Sequence, residues 1–241
     1  MRTALLFMAG NFVGPEYYAG LARAGRLPDL VCNVGQITPD SVAWERRRTG
    51  GLWNPPPLPP GQKVHAFPSL REAALLDLLR EQAIDVCIQA GIGILKGELL
   101  VTPRIGWLNV HPGKLPQYRG NACPEWAVFN GDEVWATAHI IDDGIDTGPI
   151  VTMGRYDYDR SGGYHRFRAG IYAHCAQVLV EALDLIDKAG ADGVRHILKP
   201  QDRQEGTYWP RIPDENLAAV VDRLDRGVSA PAQPSEETNH A

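Results

Sequence analysis

Residues 85–89 read DVCIQ and residues 107–111 read WLNVH, and these two runs decide the fold. Each is a short apolar segment followed by glycine or proline, which is typical of a buried β-strand that ends in a turn. Three further runs of the same kind lie at 3–8, 30–34 and 137–141. Segments with helical spacing lie between them, at 16–24 and 70–81. Because strands alternate with helices, the sequence predicts an α/β fold with a doubly wound, mostly parallel sheet.

The pattern changes in the second half of the chain. Apolar residues recur at helical spacing from 164 to 188, which predicts one long helix that packs on the sheet and is ended by Gly190 and Gly193. We therefore expect a core over 1–200 and a short C-terminal extension over 201–226. The tail over 227–241 has no apolar content to bury and is predicted to be disordered.

The composition excludes several kinds of protein. The 241 residues carry a formal net charge of −5, so a basic surface for nucleic acid is not expected. The N-terminal apolar run at 4–9 is too short for a membrane span and lacks a signal cleavage pattern, and no other segment approaches a span. The four cysteines are widely separated, so neither a disulfide framework nor a metal site is expected and the cytoplasm is the natural compartment.

Polar residues follow two of the predicted strands. Asn109 and His111 are two positions apart near the end of one strand, so their side chains share one face of the sheet. The loop DDGIDTGPI at 142–150 follows the strand at 137–141, and its glycines permit a tight turn that holds a carboxylate nearby. Ligands of open α/β sheets bind at the carboxyl ends of the strands. The pattern predicts a cleft there that contains Asn109, His111 and Asp146.

The two polar segments also carry a family resemblance. Residues 109–120, NVHPGKLPQYRG, closely resemble the NxHPSxLPxYRG signature of the folate-dependent formyltransferases. Residues 142–150 resemble that family's DxGxDTGPI loop, and the likeness covers about 85–150. It implies a Rossmann-like core, an enzyme that uses 10-formyltetrahydrofolate, and a catalytic set of Asn109, His111 and Asp146. Gly113 stands where many members have serine.

The chemistry of formyl transfer fits these three residues. An amine that attacks the formyl carbon gives a tetrahedral intermediate with a developing oxyanion, which needs fixed hydrogen-bond donors. The Asn109 amide and a His111 N–H can donate. Asp146 would hold His111 charged and help to relay the surplus proton through water. An isolated NxH segment would more simply contain a structural asparagine and histidine, and Asp146 alone would be a turn residue.

The resemblance implies positions for the donor and the acceptor as well. The pterin ring of the donor would lie beside main-chain groups at Gly91, Ile92, Gly93, Ile94, Leu95, Asp142 and Gly144. Tyr118, Arg119 and Gly120 end the first motif, and they either face the acceptor or anchor the loop. His139 belongs either to the site or to the core. Cys123 is expected to be a small buried residue rather than a nucleophile.

Three branches of the family differ in their acceptor. The tRNA-directed branch has a C-terminal barrel and a positive surface, whereas this chain is acidic and ends about thirty residues after GTYWPRIP at 206–213. The purine branch has a Gly-Ser-Gly phosphate loop, whereas residues 9–14 read AGNFVG with Phe12 in that place. By elimination, we expect the branch that formylates an amino sugar carried on a nucleotide.

Several alternatives stay open at this point. They are another small amine, a glycinamide ribonucleotide-type formyltransferase, a formyltetrahydrofolate hydrolase, and a non-catalytic nucleotide-binding module. The expected partner is a small molecule, with no nucleic acid or membrane, and a homodimer is compatible with the sequence. The proline-rich segment at 50–61 is expected to be an exposed loop that borders the acceptor side of the cleft.

Overall fold

Nine strands appear in the computed structural model, which describes residues 1–227. The strands are β1 (Thr3–Ala9), β2 (Leu30–Gln36), β3 (His65–Phe67), β4 (Val86–Ala90), β5 (Gly106–His111), β6 (Tyr118–Gly120), β7 (Trp135–Ile140), β8 (Ile150–Arg155) and β9 (Thr207–Trp209). Seven of them form the central sheet in the order β3-β2-β1-β4-β5-β7-β8. The strands from β3 to β5 in that order run parallel, and β7 runs antiparallel to both of its neighbours, β5 and β8. The predicted α/β fold with a mostly parallel sheet is confirmed.

The helices of the same residues cover both faces of this sheet. They are α1 (Val13–Arg23), α2 (Pro39–Arg48), α3 (Ala73–Glu81), α4 (Glu98–Val101), α5 (Cys123–Asn130), α6 (Gly163–Ile197) and α7 (Asp214–Asp225). On β5, Leu108 and Val110 point to the core formed with α1, α5 and α6, while Trp107 points to the core formed with α3 and α4. By alternation, Asn109 and His111 lie on the same face as Trp107.

The long helix predicted at 164–188 is α6, which runs from Gly163 to Ile197. Its backbone breaks at Gly190, where φ is 69°, and then becomes helical again with Gly193 inside the last segment. By length and composition α6 could cross a membrane, so the statement that no further segment approaches a span was wrong. Residues such as Ile171 and Leu179 are fully buried on the sheet, and core helices of this kind meet the same criterion.

Other elements were missed or misplaced. The helix predicted at 70–81 begins at Ala73, because Ser69 accepts the Arg71 amide in a preceding turn and does not cap the helix. Helix α5 was missed because its CPEWAVFN sequence is apolar almost all round and shows no amphipathic period. Helix α2 was missed because it has no buried face; its last turn is the basic run 46–48.

The C-terminal extension packs on the rest of the chain. Strand β9 pairs with β6 in a separate two-stranded sheet, and α7 packs on α5 and α6. The division at residue 200 stays a prediction, and the predicted disorder of the tail falls, from residue 228 onward, outside the described residues. Segment 50–61 contains no helix or strand, as expected.

Candidate functional site

His111 is the last residue of β5 and is held at both ring nitrogens. It is 5% exposed. Its Nε2 lies 2.8 Å from the main-chain oxygen of Tyr118, and its Nδ1 lies 3.4 Å from Oδ2 of Asp146. Because a carbonyl oxygen only accepts, Nε2 carries a proton. A Cβ on Gly113 would lie 2.6 Å from Nε2 and 2.7 Å from the Tyr118 oxygen, so a side chain at 113 would force these two groups to shift.

Asp146 reaches His111 from the loop between β7 and β8. Because β7 is antiparallel to β5, Ile140 lies opposite Leu108, and the loop folds back over the sheet face toward His111. Asp146 has a left-handed backbone, with φ of 55°, and its Oδ2 accepts the Gly120 amide at 2.9 Å. A non-glycine residue in that conformation is held there by its surroundings.

Asn109 and His139 complete the cluster. They are directly opposite each other on β5 and β7, and Nδ2 of Asn109 lies 3.1 Å from Nε2 of His139. Nε2 of His139 also lies 3.7 Å from Oδ1 of Asp146. The structure therefore brings Asn109, His111 and Asp146 together, and it adds His139, which the sequence left open between site and core. Their catalytic roles stay predictions.

The protonation of His111 differs from the expectation. Burial lowers the pKa of His111, and the charge of Asp146 opposes this only in part. Burial would raise the pKa of Asp146, but the neighbouring His111 ring and the contacts from His139 and Gly120 lower it to about 2. Asp146 is therefore ionised at neutral pH while the buried His111 is neutral, which corrects the expectation that Asp146 keeps the ring charged. The Nδ1 lone pair then faces the carboxylate.

The residues expected to lie along the donor have different exposures. Ile92 and Leu95 are buried in the core with α3 and α4. Ile94 is 71% exposed. Asp142 shapes its own loop, because its Oδ1 accepts the Gly144 amide and the Thr147 hydroxyl. A contact of Asp142 with the donor stays a prediction.

The three residues at the end of the first motif have separate tasks. The Tyr118 hydroxyl bonds to Asp132 and Asn130, and the Arg119 guanidinium donates to main-chain oxygens of 202 and 203. Both side chains are buried and anchor the fold, which was the alternative to acceptor contact. Gly120 lines a cavity. Cys123 is buried, and this burial raises the pKa of its thiol, so it is not an activated nucleophile.

Comparison with known proteins identifies the family. The model described as "Formyl transferase" matches residues 52–161, a range that contains both motifs. The methionyl-tRNA formyltransferase of Agathobacter rectalis is 33% identical over 180 residues, which cover 70% of this chain and 56% of that protein. The chain belongs to the formyltransferase family. The resemblance that the two motifs carry is thus confirmed.

Solved formyltransferases share the fold. A 4-N formyltransferase from Francisella tularensis is 14% identical with a TM-score of 0.59, over 93% of this chain and 88% of that one. Phosphoribosylglycinamide formyltransferase from Streptococcus pneumoniae TIGR4 is 23% identical with a TM-score of 0.54, over 76% and 97%. At these identities the likeness shows the fold alone. The chain spans little more than half the length of the Agathobacter rectalis relative.

This member of the formyltransferase family holds its second motif with the C-terminal extension. Nε2 of Gln201 donates to the main-chain oxygens of Asp146 and Gly148, at 3.1 and 2.6 Å. Arg203 pairs with Asp142 at 2.9 Å and with Asp143 at 3.2 Å. Sequence reasoning missed both residues, and no local signal marks them, because their partners lie more than fifty positions away.

Two other residues that sequence reasoning missed had a signal in the sequence. Glu125 stands alone among apolar neighbours in α5, and Arg168 lies on the apolar stripe of α6 beside Phe167 and Ile171. Both are buried and meet across an ion pair. A charged residue at a core position of a helix is rare unless it is paired, so such a position marks a buried network.

The loop at 50–61 is anchored to the rest of the chain at Trp53. Trp53 is 5% exposed, stacks on Tyr172 of α6 with ring centroids 3.6 Å apart, and donates to Glu16 at 3.0 Å. It lies against α1 and α6, and it also lines an aromatic cavity with Phe12 and Trp44. Trp53 is thus a fixed wall, and a lid role for the rest of the loop stays a prediction.

Proposed function

We propose that the chain transfers a formyl group from 10-formyltetrahydrofolate to a primary amine of a small molecule, with an amino sugar carried on a nucleotide as the expected acceptor. One observation carries the proposal. Asn109, His111 and Asp146 converge on one face of β5, with His111 Nδ1 3.4 Å from the carboxylate. A purely nucleotide-binding module would not need this buried imidazole–carboxylate pair.

The surroundings of the cluster fit the donor that the family uses. Ile94 and Ile145 are 71% and 49% exposed, and they lie in the two loops expected to flank the pterin ring. Exposed apolar side chains of this kind would cover an aromatic ring. A Cβ on Gly93 would meet no atom within 4 Å, so this loop is open to a ligand. A cavity of 680 Å³ continues along the loop beside Ile92 and Ile94.

In this proposal, different side chains handle the proton and the oxyanion. One N–H of Asn109 faces His139, and the other is free to donate to the formyl oxygen as it becomes negative. The proton that the attacking nitrogen loses when the new C–N bond forms is relayed through water to Nδ1 of the neutral His111. Asp146 stabilises the resulting imidazolium. As the bond to the folate nitrogen breaks, that nitrogen receives the proton from His111.

A second candidate acceptor is the methionyl end of a tRNA. The relative from Agathobacter rectalis that is 33% identical to this chain is a methionyl-tRNA formyltransferase. The net charge of −5 speaks against a tRNA surface, and we therefore rank the small amine first. Hydrolysis of the donor by the same site, the cytoplasmic location and a homodimer stay predictions.

One experiment separates these possibilities. The purified chain is incubated with 10-formyltetrahydrofolate and, in turn, nucleotide-linked amino sugars, glycinamide ribonucleotide, methionyl-tRNA, and no acceptor. Mass spectrometry reads the formylated product, and an enzymatic assay reads free formate. A mass gain of one formyl group on an amino sugar supports the proposal. Product on tRNA alone, or formate alone, assigns the other function, and no turnover of the donor under any condition contradicts formyl transfer.

A further inference from the structure

A second cavity, of 370 Å³, adjoins the site from the other side of the first motif. Pro112 and Gly120 form its near wall, and the Gly120 amide is the group that donates to Asp146. Its remaining walls come from α2, α5, α6 and α7. An acceptor that occupies this cavity therefore lies next to the loop that carries the carboxylate.

Two buried charged side chains in the cavity wall have polar atoms without a hydrogen-bond partner among residues 1–227. Glu125 is 0% exposed; its Oε1 accepts from Arg48 at 2.8 Å and from the Tyr164 hydroxyl at 3.1 Å. Its Oε2 has no hydrogen-bond partner among residues 1–227. Arg168 is 5% exposed, and its Nη2 donates to Tyr172 at 2.6 Å, while its Nη1 and its Nε have no hydrogen-bond partner in the same range. Buried groups of this kind are normally satisfied, so they point to a ligand or water.

The cavity as a whole carries no net charge. Three arginines line it together with three carboxylates; they are Arg48, Arg168, Arg211, Glu45, Glu125 and Asp214. Electrostatics therefore favours neither an anion nor a cation. Trp44 forms part of the wall beneath the Arg48 guanidinium, and it offers an apolar surface to a ring.

We propose that this cavity holds the hydroxylated ring of the acceptor amine, and that one ring hydroxyl donates to Oε2 of Glu125 and accepts from Nη1 of Arg168. A hydroxyl satisfies both groups because it is donor and acceptor at once. A phosphate or carboxylate would be repelled by Glu125, and an ammonium would be repelled by Arg168. The inference rests on the proposed function, because it assigns the substrate class of that reaction.

The test uses binding without the formyl donor, so that it does not depend on turnover. Methyl glycosides of 2-, 3- and 4-amino hexoses are titrated into the full chain by saturation-transfer NMR and calorimetry. Each glycoside that binds is compared with its monodeoxy analogues. We expect one analogue to bind about tenfold more weakly or worse, because a site built for a hydroxyl leaves two buried groups unpaired without it.

The variant Glu125→Gln replaces Oε2, which accepts the hydrogen bond from the ligand hydroxyl, with an amide NH₂ group that can only donate. We expect this variant to bind the parent glycoside more weakly by about the same factor, and to bind the deoxy analogue with unchanged affinity. Glu133→Gln, at an exposed carboxylate paired with Arg155, is the matched control. Should Glu125→Gln fail to fold in a thermal unfolding assay, the comparison of the two ligands on the unaltered chain still decides the question.

Three results would overturn the inference. They are equal binding of parent and deoxy glycosides, displacement of the glycoside by millimolar methyl phosphate, and binding of no glycoside at tens of millimolar concentration. If formyl transfer to another amine persists in these cases, only the inference fails. If a glycoside binds as expected but no amine is ever formylated, the inference on binding stands and the proposed reaction fails.

Discussion

His111 and Asp146 lie 3.4 Å apart, and yet the chain holds them in different ways. His111 is on β5, which is hydrogen-bonded to β4 over Gly106–Leu108 and to β7 over Leu108–His111. Asp146 is in a loop with a left-handed backbone, and Gln201 and Gly120 fix it from distant parts of the sequence. The strand positions one partner through the sheet, whereas the loop depends on side chains that reach it from elsewhere.

This difference has a consequence for how the pair responds to substitution. A change in β5 meets a rigid frame and acts through the chemistry of the altered group. A change around the loop acts through geometry, and a displacement of about 1 Å can reduce turnover by up to a hundredfold. Chemical and positional effects should therefore be separable by kinetics, from the largest effect to the smallest.

The largest effect is expected from Asp146→Asn. The variant removes the charge that stabilises the imidazolium while it keeps the size of the side chain. We expect kcat to fall by about a thousandfold or more, with the affinity for the folate donor nearly unchanged. Steady-state kinetics and donor binding by fluorescence check the two parts. Turnover within tenfold of the unaltered chain would contradict the proposed mechanism.

The next effect is expected from His111→Asn, which keeps a donor to Tyr118 but has no titrating group. We expect a loss of about a hundredfold to a thousandfold. Because burial lowers the pKa of His111, the neutral form that accepts the proton persists below pH 6.5, and activity falls only as the pH drops through that lowered value. A pH profile of kcat/KM should show this acid limb in the unaltered chain and lose it in the variant.

The lowered pKa of His111 also makes the stability of the folded chain depend on pH. The unfolded chain binds the His111 proton at a higher pH than the folded chain does, so stability falls as the pH drops below about 6.5. The asparagine variant should show a smaller slope in this range in urea unfolding. An equal slope in both proteins would show that His111 does not titrate as described.

A smaller effect is expected from Gln201→Ala, which removes two hydrogen bonds to the main chain of the loop. We expect kcat to fall by about tenfold, because Asp146 is no longer held in register with His111. The pH profile should keep its shape, since both titrating groups remain. Gln204→Ala, at an exposed neighbouring glutamine, is the control and should change little. Equal losses in both variants would remove the special role of Gln201.

The smallest effect is expected from Gly113→Ala, which acts on the strand side of the pair. The added Cβ would lie 2.6 Å from His111 Nε2, so the Tyr118 carbonyl must move away. We expect a loss of a few-fold in kcat, since the family signature that this motif resembles has serine here and the loop can adjust. Gly193→Ala, in helix α6 with only an ordinary contact at 3.7 Å, is the control. A larger loss than for Gln201→Ala would reverse the order proposed here.

The sequence predicts the strand side of this site better than the loop side. The runs at 85–89 and 107–111 are strongly apolar, and alternation alone places Asn109 and His111 on one face. The sequence also places Asp146 in a loop after a strand. It does not show that β7 runs antiparallel, and therefore it does not show that the loop must fold back over the sheet.

Long-range contacts determine those features of the site that the sequence does not predict. Gln201 and Glu125 gain their importance from partners that the fold brings to them, and no periodicity records such partners. The neutral state of His111 is likewise a result of burial, which depends on every neighbour of the ring. The two motifs led to the family, but the state of the groups within them required the three-dimensional structure.

The double pairing of β5 has a further consequence on the time scale of amide hydrogen exchange. Amides in a strand paired on both sides exchange only when a large part of the sheet opens, whereas those in the loop at 142–149 exchange through small local openings. We therefore expect the paired part of β5 and this loop to open independently of each other. A ligand that bridges them would slow exchange in the loop by a large factor and leave that of β5 almost unaltered, because only the loop has freedom left to lose.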